Sequence, residues 1–403
     1  MREIPFVTVQ DVHKAASSKK LIFFGAGDIA EKTERKFQSM EFIVDNSPSL
    51  QGSEEMGVFI KSPEVLRDLS QEEYFVIICT TSFGEVSDQL IGIGWVPSKS
   101  FAVSPILNDL RVISELESCQ RQLLFTSGSP PKDDLKSGGG IYQLDLNGGE
   151  WDYRKVYSGN CYDVIPYKNQ YVTVDYQVGL VVLDKNFNVV KTGSIPKGAR
   201  CHGIQYSEKH SSFFLASTGM DQVLIFNEEL KFMDSISWTH KYERDQSARH
   251  HCNDLCVLGD SVYISMFSET GNWQRDVFDG AVIELDIPTK AVVGTVMKDL
   301  WMPHNISFHE GSLAVLDSLR GQLKMHNSQV VGEFSAFSRG LAFDGIYYFI
   351  GQSRNRNYSK FLGLSNNISI DTSIIIFDKE TKVSRTVHLP SKLSEIHAIM
   401  LLN

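Results

Sequence analysis

From about residue 120 to the end of the chain, short apolar strands alternate with turns, without the 3.6-residue spacing of amphipathic helices. A four-strand unit recurs roughly every 47 residues, and its third strand is aliphatic and ends in Asp or Asn. These third strands are GLVVLDKN, QVLIFNEE, AVIELDIP, QLKMHNSQ, SIIIFDKE and GIYQLDLN. Such a repeat predicts an all-β propeller.

The repeat predicts six blades if the two ends of the repeat region together form one of them. Residues 120–157 contain three strands without an inner one, whereas EIHAIMLLN at the C-terminus reads as an inner strand with nothing after it. Together they would complete the last blade and leave no unpaired edge. A β-sandwich, or a seven-bladed ring with one irregular blade, is the alternative.

The first hundred residues show a different order, in which apolar strands alternate with helix-forming segments. This order predicts a small parallel sheet with helices on both faces, a Rossmann-like α/β domain. Residues 104–118 carry apolar side chains at helical spacing and read as a connector. We therefore expect two domains, residues 1–118 and 119–403.

A glycine-rich turn in this first domain suggests a nucleotide site. The strand in KKLIFFGAGDIAEKT runs into Gly25, Gly27 and Ala30 at G-x-G-x-x-A spacing, which would let a phosphate approach the start of a helix. Asp45 follows the second strand, at a spacing suited to a ribose hydroxyl, and Thr80 ends the third. The ligand would be a nucleotide or NAD(P). In the alternative interpretation the glycines serve helix–strand packing only.

The stretch FIVDNSPSLQGSEEMGVFIKSPEVL resembles the small nucleotide-binding domain of bacterial sugar-nucleotide enzymes in surface-polysaccharide pathways. The likeness covers roughly residues 18–105 and implies a domain that holds a nucleotide or nucleotide sugar. Neither the acyltransferase hexapeptide repeat nor the dehydratase Tyr-x-x-x-Lys pair of those enzymes follows. Their activities therefore do not carry over.

Aligning the inner strands of the repeat gives one polar column. The six positions are Asp163, His202, Asn253, His304, Arg339 and His397. Because equivalent inner-strand positions of a propeller lie at one height, these side chains should form a ring at the mouth of the central channel.

Three imidazoles from alternate blades could bind Zn, Mn or Fe and leave positions open for water or substrate. In this hypothesis His202, His304 and His397 are the metal ligands. Asp163 is the base, Arg339 holds an anion, and Asn253 completes the catalytic set. The alternative is a polar channel that binds only water.

Long loops between second and third strands should lie over the ring, and long loops in compact domains are often functional. They carry the substrate-binding candidates Trp273, Arg275, Arg354 and Arg356.

Two cysteine-containing stretches could form further sites. Cys161 could be a reactive thiol, although a plain buried cysteine is the commoner case. His250 and His251 beside Cys252 and Cys256 could suggest zinc, but strand alternation should send neighbours to opposite faces.

Composition narrows the class of protein. The chain has 403 residues and a formal net charge of −10, which argues against nucleic-acid binding. There is no long apolar segment of the kind that inserts into a membrane and no signal-peptide pattern at the N-terminus, and the six cysteines are scattered. We expect a cytoplasmic protein, of unknown oligomeric state.

The stretches WMPHNISFHEGSLAVLDSLRGQL and FSRGLAFDGIYYFIGQSRNR resemble a bacterial family of uncharacterised β-propeller proteins. The resemblance supports the propeller and the importance of His304 and Arg339. Taken together, the sequence suggests a metal-dependent enzyme of a sugar-nucleotide or surface-polysaccharide pathway, of the hydrolase, lyase or epimerase class. Its substrate would be small, polar, and anionic or sugar-like. The alternatives are a non-catalytic nucleotide-sensing and protein-docking module and an NAD(P)-dependent oxidoreductase.

Overall fold

The structure is a computed structural model that describes residues 4–37, 39–309, 311–325, 328–354 and 368–402. Contacts between Cα atoms divide the chain into two compact units, Met1–Ser118 and Cys119–Asn403. No helix in the described part of the chain is both long and apolar enough to cross a lipid bilayer.

The first unit alternates strands with short helices. Its elements are α1 (Val9–Ala15), β1 (Lys20–Phe24), α2 (Asp28–Glu34), β2 (Phe42–Val44), β3 (Glu54–Glu55), β4 (Val58–Lys61), a 3-10 helix (Pro63–Asp68), β5 (Tyr74–Ile78), α3 (Phe83–Gly92), β6 (Phe101–Val103), a second 3-10 helix (Pro105–Leu110) and α4 (Arg111–Glu117). Ser62 and Ser104 cap the two 3-10 helices, and a proline follows each cap.

These strands form one sheet in the order β3-β4-β2-β1-β5-β6. Every pair is parallel except β3–β4 at the edge, so the sheet is mixed but mainly parallel. β1, β2 and β5 are almost continuously apolar, and their side chains enter two separate hydrophobic clusters. A strand that is buried on both faces requires such a sequence.

The second unit consists of six four-stranded antiparallel sheets. Its strands before the first complete blade are β7 (Gln120–Ser127), β8 (Gly140–Asn147) and β9 (Glu150–Ser158). Blade 1 is β10 (Cys161–Tyr167), β11 (Gln170–Asp175), β12 (Gly179–Leu183) and β13 (Val189–Gly193). Blade 2 is β14 (Cys201–Ser207), β15 (Ser212–Ser217), β16 (Gln222–Asn227) and β17 (Phe232–Ser237).

The helix α5 (Lys241–Asp245) precedes blade 3, which is β18 (Cys252–Leu258), β19 (Ser261–Met266), β20 (Gly280–Asp286) and β21 (Val292–Leu300), with a 3-10 helix (Trp273–Arg275) between β19 and β20. Blade 4 is β22 (His304–His309), β23 (Ser312–Asp317), β24 (Gln322–Met325) and β25 (Gln329–Glu333). Blade 5 is β26 (Phe337–Phe343), β27 (Tyr348–Ser353), β28 (Ser373–Phe377) and β29 (Ser384–His388), and the last strand is β30 (Ile399–Leu402).

The last blade combines the two ends of the unit. Its strand order is β30-β7-β8-β9, so the C-terminal strand supplies the inner position and the N-terminal strands supply the other three. The prediction of six blades closed in this way is confirmed. Successive inner strands contact one another around the ring, and β30 contacts β10. The inner strands therefore enclose a channel on the propeller axis.

Apolar clusters between neighbouring blades form the core of the propeller. One cluster joins blades 1 and 2, a second joins blades 2 and 3, and a third joins blades 4 and 5. All six cysteines are buried and unpaired. Burial also raises the pKa of the Cys161 thiol, which disfavours the thiolate form that a reactive cysteine needs.

Candidate functional site

Five inner strands carry a register shift near their first residues, and this shift decides which side chains share a height. Beyond the shift, Val164, Ile204, Leu255, Ile306 and Leu341 occupy equivalent ladder positions against their second strands. The residues two positions before these five form one column across the inner strands, and His397, two positions before Ile399, is its sixth member. The column is Tyr162, His202, Asn253, His304, Arg339 and His397.

The structure places five of the predicted ring residues in this column, whereas in blade 1 Tyr162 lies there and Asp163 lies one residue further along the strand. The ladder of β10 passes from Cys161 directly to Asp163 and leaves Tyr162 in the bulge. The alternation of side chains between the two faces of a strand does not continue through a bulge. The sequence pattern therefore assigns Asp163, the neighbour of Tyr162, to the ring.

Asp163 instead connects two blades. Its Oδ1 accepts a hydrogen bond from the Val164 N–H at 2.8 Å, and its Oδ2 accepts one from the Ile204 N–H at 2.9 Å. Asp254 and Asn305 occupy the same column and accept from the Leu255 and Gly340 N–H groups at 2.8 and 2.6 Å. The carboxylate predicted to be the base therefore belongs to a belt of side chains that joins neighbouring blades.

Aromatic and imidazole rings pack together at the start of the inner strands. Tyr162 stacks on His202 with 4.3 Å between ring centroids and an interplanar angle of 9°. The edge-on His397 ring lies 4.7 Å from Tyr162 and 6.3 Å from His202. His251 lies 6.2 Å from His202. We call His202, His251, His304 and His397, with Tyr162, Asn253 and Arg339, the axial histidine site.

Hydrogen bonds at Nδ1 define the tautomers of two of these rings. His304 Nδ1 lies 2.9 Å from the Met302 carbonyl oxygen and 2.8 Å from Ser318 Oγ. His202 Nδ1 lies 2.8 Å from Asn253 Oδ1. Because a carbonyl oxygen only accepts, each Nδ1 carries the proton and each Nε2 has the lone pair. Within the described chain, neither Nε2 is hydrogen-bonded to another residue.

His397 is held differently, through a buried carboxylate. Its Nε2 lies 2.8 Å from Glu395 Oε2, and both side chains are about nine-tenths buried. Arg339 Nη1 lies 3.5 Å from the same nitrogen. The Nε2 proton is donated to Glu395, and the guanidinium supplies positive charge beside the pair.

Burial favours the neutral form of three of the imidazoles, those of His202, His251 and His304. Desolvation deep in the channel lowers the pKa of His202 well below 6.5, and His251 and His397 lower it further. The pKa of His304 falls for the same first reason, with Arg339 as the largest charge effect. The pKa of His251 falls to about 3, again mainly by desolvation. The site thus combines uncharged bases with one permanent cation.

An aromatic wall borders these polar groups. His251 stacks on Phe267 at 4.2 Å and packs against Trp273 at 4.5 Å. The Arg339 guanidinium lies 4.8 Å from the centroid of Phe337. Trp273 was a predicted loop contact, and the structure places it beside the histidines.

Two other predicted loop residues, Arg275 and Arg354, are exposed. Their backbone N–H groups donate to the carbonyl oxygens of Asn272 and Ser394. Arg356 lies outside the described residues.

The predicted three-histidine metal geometry is not observed. Among the residues that the structure describes, no group of three or more His, Cys, Asp and Glu side chains is arranged to hold a metal ion. Glu395 already occupies one nitrogen of His397, whereas His202 and His304 keep their Nε2 lone pairs.

Three contributors to the site were not predicted, namely Tyr162, His251 and Glu395. Glu395 stands two residues before His397, the spacing at which strand residues share a face, and this signal could have been used. Strand alternation predicts that neighbours such as His250 and His251 point to opposite faces. However, β18 begins at Cys252, and His251 precedes it with a left-handed φ of 54°, so alternation does not govern its direction.

The predicted nucleotide residues do converge in the first unit, at the carboxyl ends of β1, β2 and β5. Gly25 has a φ of 110°, and an added Cβ would lie 2.8 Å from the Cys79 carbonyl oxygen. The Ala26 N–H donates to Asp45 Oδ2 at 3.1 Å, and Thr80 Oγ1 accepts from the Ser82 N–H at 3.3 Å. Ala30 is fully buried and packs in the core, whereas Gly27 is exposed.

Comparison with known proteins identifies the family. The family model described as a domain of unknown function, DUF4915, matches residues 151–403, which is most of the chain. The chain belongs to the DUF4915 family. No curated protein matches the sequence.

Solved structures show the fold of this DUF4915 protein. A chain in the crystal structure of a nidogen/laminin complex has a TM-score of 0.50 and 11% identity over 70% of this chain and 98% of its own length. A protein of unknown function from Bacteroides caccae has a TM-score of 0.50 and 15% identity over 70% of this chain and 99% of its own. At such identities the likeness shows the β-propeller alone.

Proposed function

We propose that the propeller is an enzyme that acts at the axial histidine site on a small, polar, anionic or sugar-like substrate. The observation that carries the proposal is the pairing of two Nδ1-protonated, neutral imidazoles, His202 and His304, with the Arg339 guanidinium. A neutral imidazole can take up a proton, and a guanidinium binds a carboxylate or phosphate. The aromatic wall suits the apolar face of a sugar ring.

Each residue has a distinct proposed role. Arg339 holds the substrate anion, and the Nε2 of His202 or His304 acts as general base. Asn253 and the Met302 carbonyl keep these two rings in the Nδ1-protonated tautomer. The Glu395–His397 pair orients the imidazole nearest to Arg339. These roles fit the hydrolase, lyase and epimerase classes.

Metal-assisted chemistry is a second candidate because of one specific observation. Metal-bound histidines generally donate their other ring N–H to a carbonyl or carboxylate oxygen, as His304 does to Met302 and His202 to Asn253. A Zn, Mn or Fe ion would polarise a substrate carbonyl or lower the pKa of a bound water. The metal remains a hypothesis, since three suitably placed ligands are not found within the described residues.

The nucleotide role of the first unit also remains a proposal. A Gly-rich turn between the ends of β1 and β5 is where a Rossmann-like sheet would hold a nucleotide or nucleotide sugar. Against a phosphate at this turn, α2 begins with Asp28 and carries Glu31 in its first turn. Placement in a sugar-nucleotide pathway and in the cytoplasm rests on sequence alone.

Binding of defined anions tests the enzymatic proposal. Isothermal titration calorimetry would compare D-glucuronate, D-glucose 6-phosphate and uncharged D-glucose on the full chain. We expect saturable binding of a charged probe and at least a tenfold loss in Arg339→Gln, because the guanidinium provides the only permanent charge that we assign to the site. The exposed variant Arg275→Gln is the matched control. Equal binding by the parent and Arg339→Gln would contradict the proposal and favour a docking module.

Metal content separates the two chemical candidates. Protein without a histidine tag would be analysed after reconstitution with Zn, Mn or Fe, beside a His202→Ala/His304→Ala double variant. His210→Ala is the control, because its Nε2 contacts the distant Gly259 carbonyl. Near-stoichiometric metal in the parent and in His210→Ala but not in the double variant would support the metal. Equal content in all three would refute it.

The first unit is tested independently by Gly27→Val. A Cβ at Gly27 meets no atom within 4 Å, so the fold should be retained while access to the turn is blocked. Gly25 is unsuitable, because its added Cβ would collide with the Cys79 backbone. Loss of NADH or UDP-glucose binding in a folded Gly27→Val protein would support a nucleotide site, whereas unchanged binding would place the ligand elsewhere.

A further inference from the structure

A second cavity lies on the propeller axis, beyond the belt of Asp163, Asp254 and Asn305. Its volume is about 820 Å³, within the usual range of ligand-binding cavities. It is lined by the later residues of the inner strands, whereas the axial histidine site lies at their first residues. The cavity is therefore separate from the site proposed above.

Two carboxylates reach this cavity from blades 1 and 3. The inner strand between them has Gly203 at the equivalent position, and an added Cβ there would lie 2.3 Å from Asp254 Oδ1. The missing side chain thus makes room for the Asp254 carboxylate beside blade 2. Asp163 reaches the same blade through its bond to the Ile204 N–H. Desolvation and the charge of the neighbouring Asp254 both raise the pKa of Asp163.

The pair has no counter-ion in the described part of the chain. Lys168 also lines the cavity, but its Nζ pairs with Glu228 at 3.0 Å. Among the described residues, backbone N–H groups and Asn305 are the hydrogen-bond donors to Asp163 and Asp254. Two carboxylates that line one cavity without a cation repel each other when both are ionised, so a positive ligand would be attracted to both.

The walls define what kind of cation would fit. Apolar side chains dominate above the carboxylates, among them Ile165, Leu258, Phe308 and Met400. A calcium ion takes six to eight oxygen ligands, and several acceptor positions of this pair are already occupied by N–H donors. An ammonium or guanidinium group needs only a few acceptors, and an apolar body attached to it would fill the remaining volume.

We propose that this cavity binds an organic cation, a primary amine or guanidinium on an apolar body, with its charge between Asp163 and Asp254. The site does not depend on the function proposed for the histidines. Its ligand would enter from the opposite end of the channel.

Calorimetry on the full chain tests this proposal, with hexylammonium chloride and hexylguanidinium chloride as probes. We expect saturable binding of at least one probe, and at least a tenfold weaker affinity in Asp254→Asn and in Asp163→Asn. Each amide keeps one oxygen that can accept one of the backbone bonds made by the carboxylate, and thermal unfolding would verify that both variants fold. Asp260→Asn is the matched control, because Asp260 is an exposed partner of Lys209.

Each result has a definite meaning. Absence of saturable binding by both probes, or equal binding in all variants, would overturn the proposal. Stronger binding of calcium chloride than of either probe would also overturn it and indicate an inorganic cation site. Arg339→Gln should leave hexylammonium binding unchanged, so failure of the enzymatic proposal and failure of this one remain distinguishable.

Discussion

The two ends of the propeller channel are built from neighbouring residues of the same strands, yet they differ in chemistry. At the first residues of the inner strands, neutral imidazoles, aromatic rings and Arg339 are held mainly by side-chain contacts. One residue further along, the side chains of Asp163, Asp254 and Asn305 bond to the backbone of the next blade. One end thus presents neutral imidazoles and a guanidinium, and the other presents inter-blade hydrogen bonds and carboxyl groups whose pKa burial raises.

This difference indicates that the residues that join the blades are not the residues that would bind a ligand at the histidine end. The belt residues join blades, so their replacement should affect stability first. Among the histidines, His202 also bonds to the next blade, through Asn253, whereas the Nε2 atoms of His202 and His304 are directed to no other residue in the described chain, so their replacement should affect binding first. Measurements of stability and of ligand binding for variants at the two ends can therefore test whether the belt mainly stabilises the fold and the histidines mainly bind a ligand.

The largest expected effect is at Gly203, in the belt. Alanine there would place its Cβ 2.3 Å from Asp254 Oδ1 and 2.8 Å from the Asp254 Cα. Because a backbone atom cannot move aside easily, we expect a loss of about 3 kcal/mol or more in the free energy of unfolding, measured by urea denaturation.

Gly128→Ala is the matched variant at the histidine end. Its Cβ would lie 2.7 Å from His397 Nε2 and 2.9 Å from Tyr162 Cε1, which are side-chain atoms that can shift. We expect a smaller loss of stability, about 1–2 kcal/mol, together with altered ligand binding. If Gly128→Ala were the more destabilising change, the assignment of stability to the belt would be wrong.

The next expected effect is an increase in the free energy of unfolding, and its size depends on pH. Burial raises the pKa of Asp254 to about 7 from an ordinary 3.8. The folded chain therefore holds a proton that the unfolded chain loses between about pH 4 and pH 7, and stability falls as the pH rises through that window. Asp254→Asn removes this cost and should stabilise the protein by about 1–3 kcal/mol at pH 8.

The gain should shrink steadily as the pH is lowered toward 4, where Asp254 is protonated in the folded protein. Urea denaturation of both proteins at several pH values would measure it. Asp260→Asn, on the surface, should show no such trend. If the increase in stability of Asp254→Asn were independent of pH, the native Asp254 would be unfavourable because of packing and not because of its charge.

Most of the propeller was predictable from the sequence because its signals are periodic. Aliphatic third strands and their turns defined six blades, and the unpaired strands at the two ends required closure through β30. The mainly parallel order of the first unit also followed from its apolar strands. The antiparallel β3–β4 edge did not, because a two-residue strand leaves no periodic signal.

The site was predictable only in part. Five residues of the ring column were found by alignment, because each inner strand repeats the same local pattern. Asp163 was misplaced because a bulge breaks the alternation on which the alignment relies. The link from Glu395 to His397 has a two-residue spacing that the alignment of inner strands does not use. The position of His251 depends on a left-handed backbone residue just before its strand, which hydrophobic spacing does not encode.

The smallest predicted effect concerns Tyr162, the residue that the alignment missed. Its stacking on His202 at 4.3 Å should contribute about 1 kcal/mol, so Tyr162→Leu should lower the free energy of unfolding by that amount. Tyr162→Phe keeps the ring and should lose less. In contrast to the belt variants, Tyr162→Leu should weaken anion binding at Arg339 more than its stability cost implies, because His202 loses its support. If Tyr162→Leu destabilised the fold as much as Gly203→Ala while leaving binding intact, the histidine end would be structural too, and the contrast between the two ends would not hold.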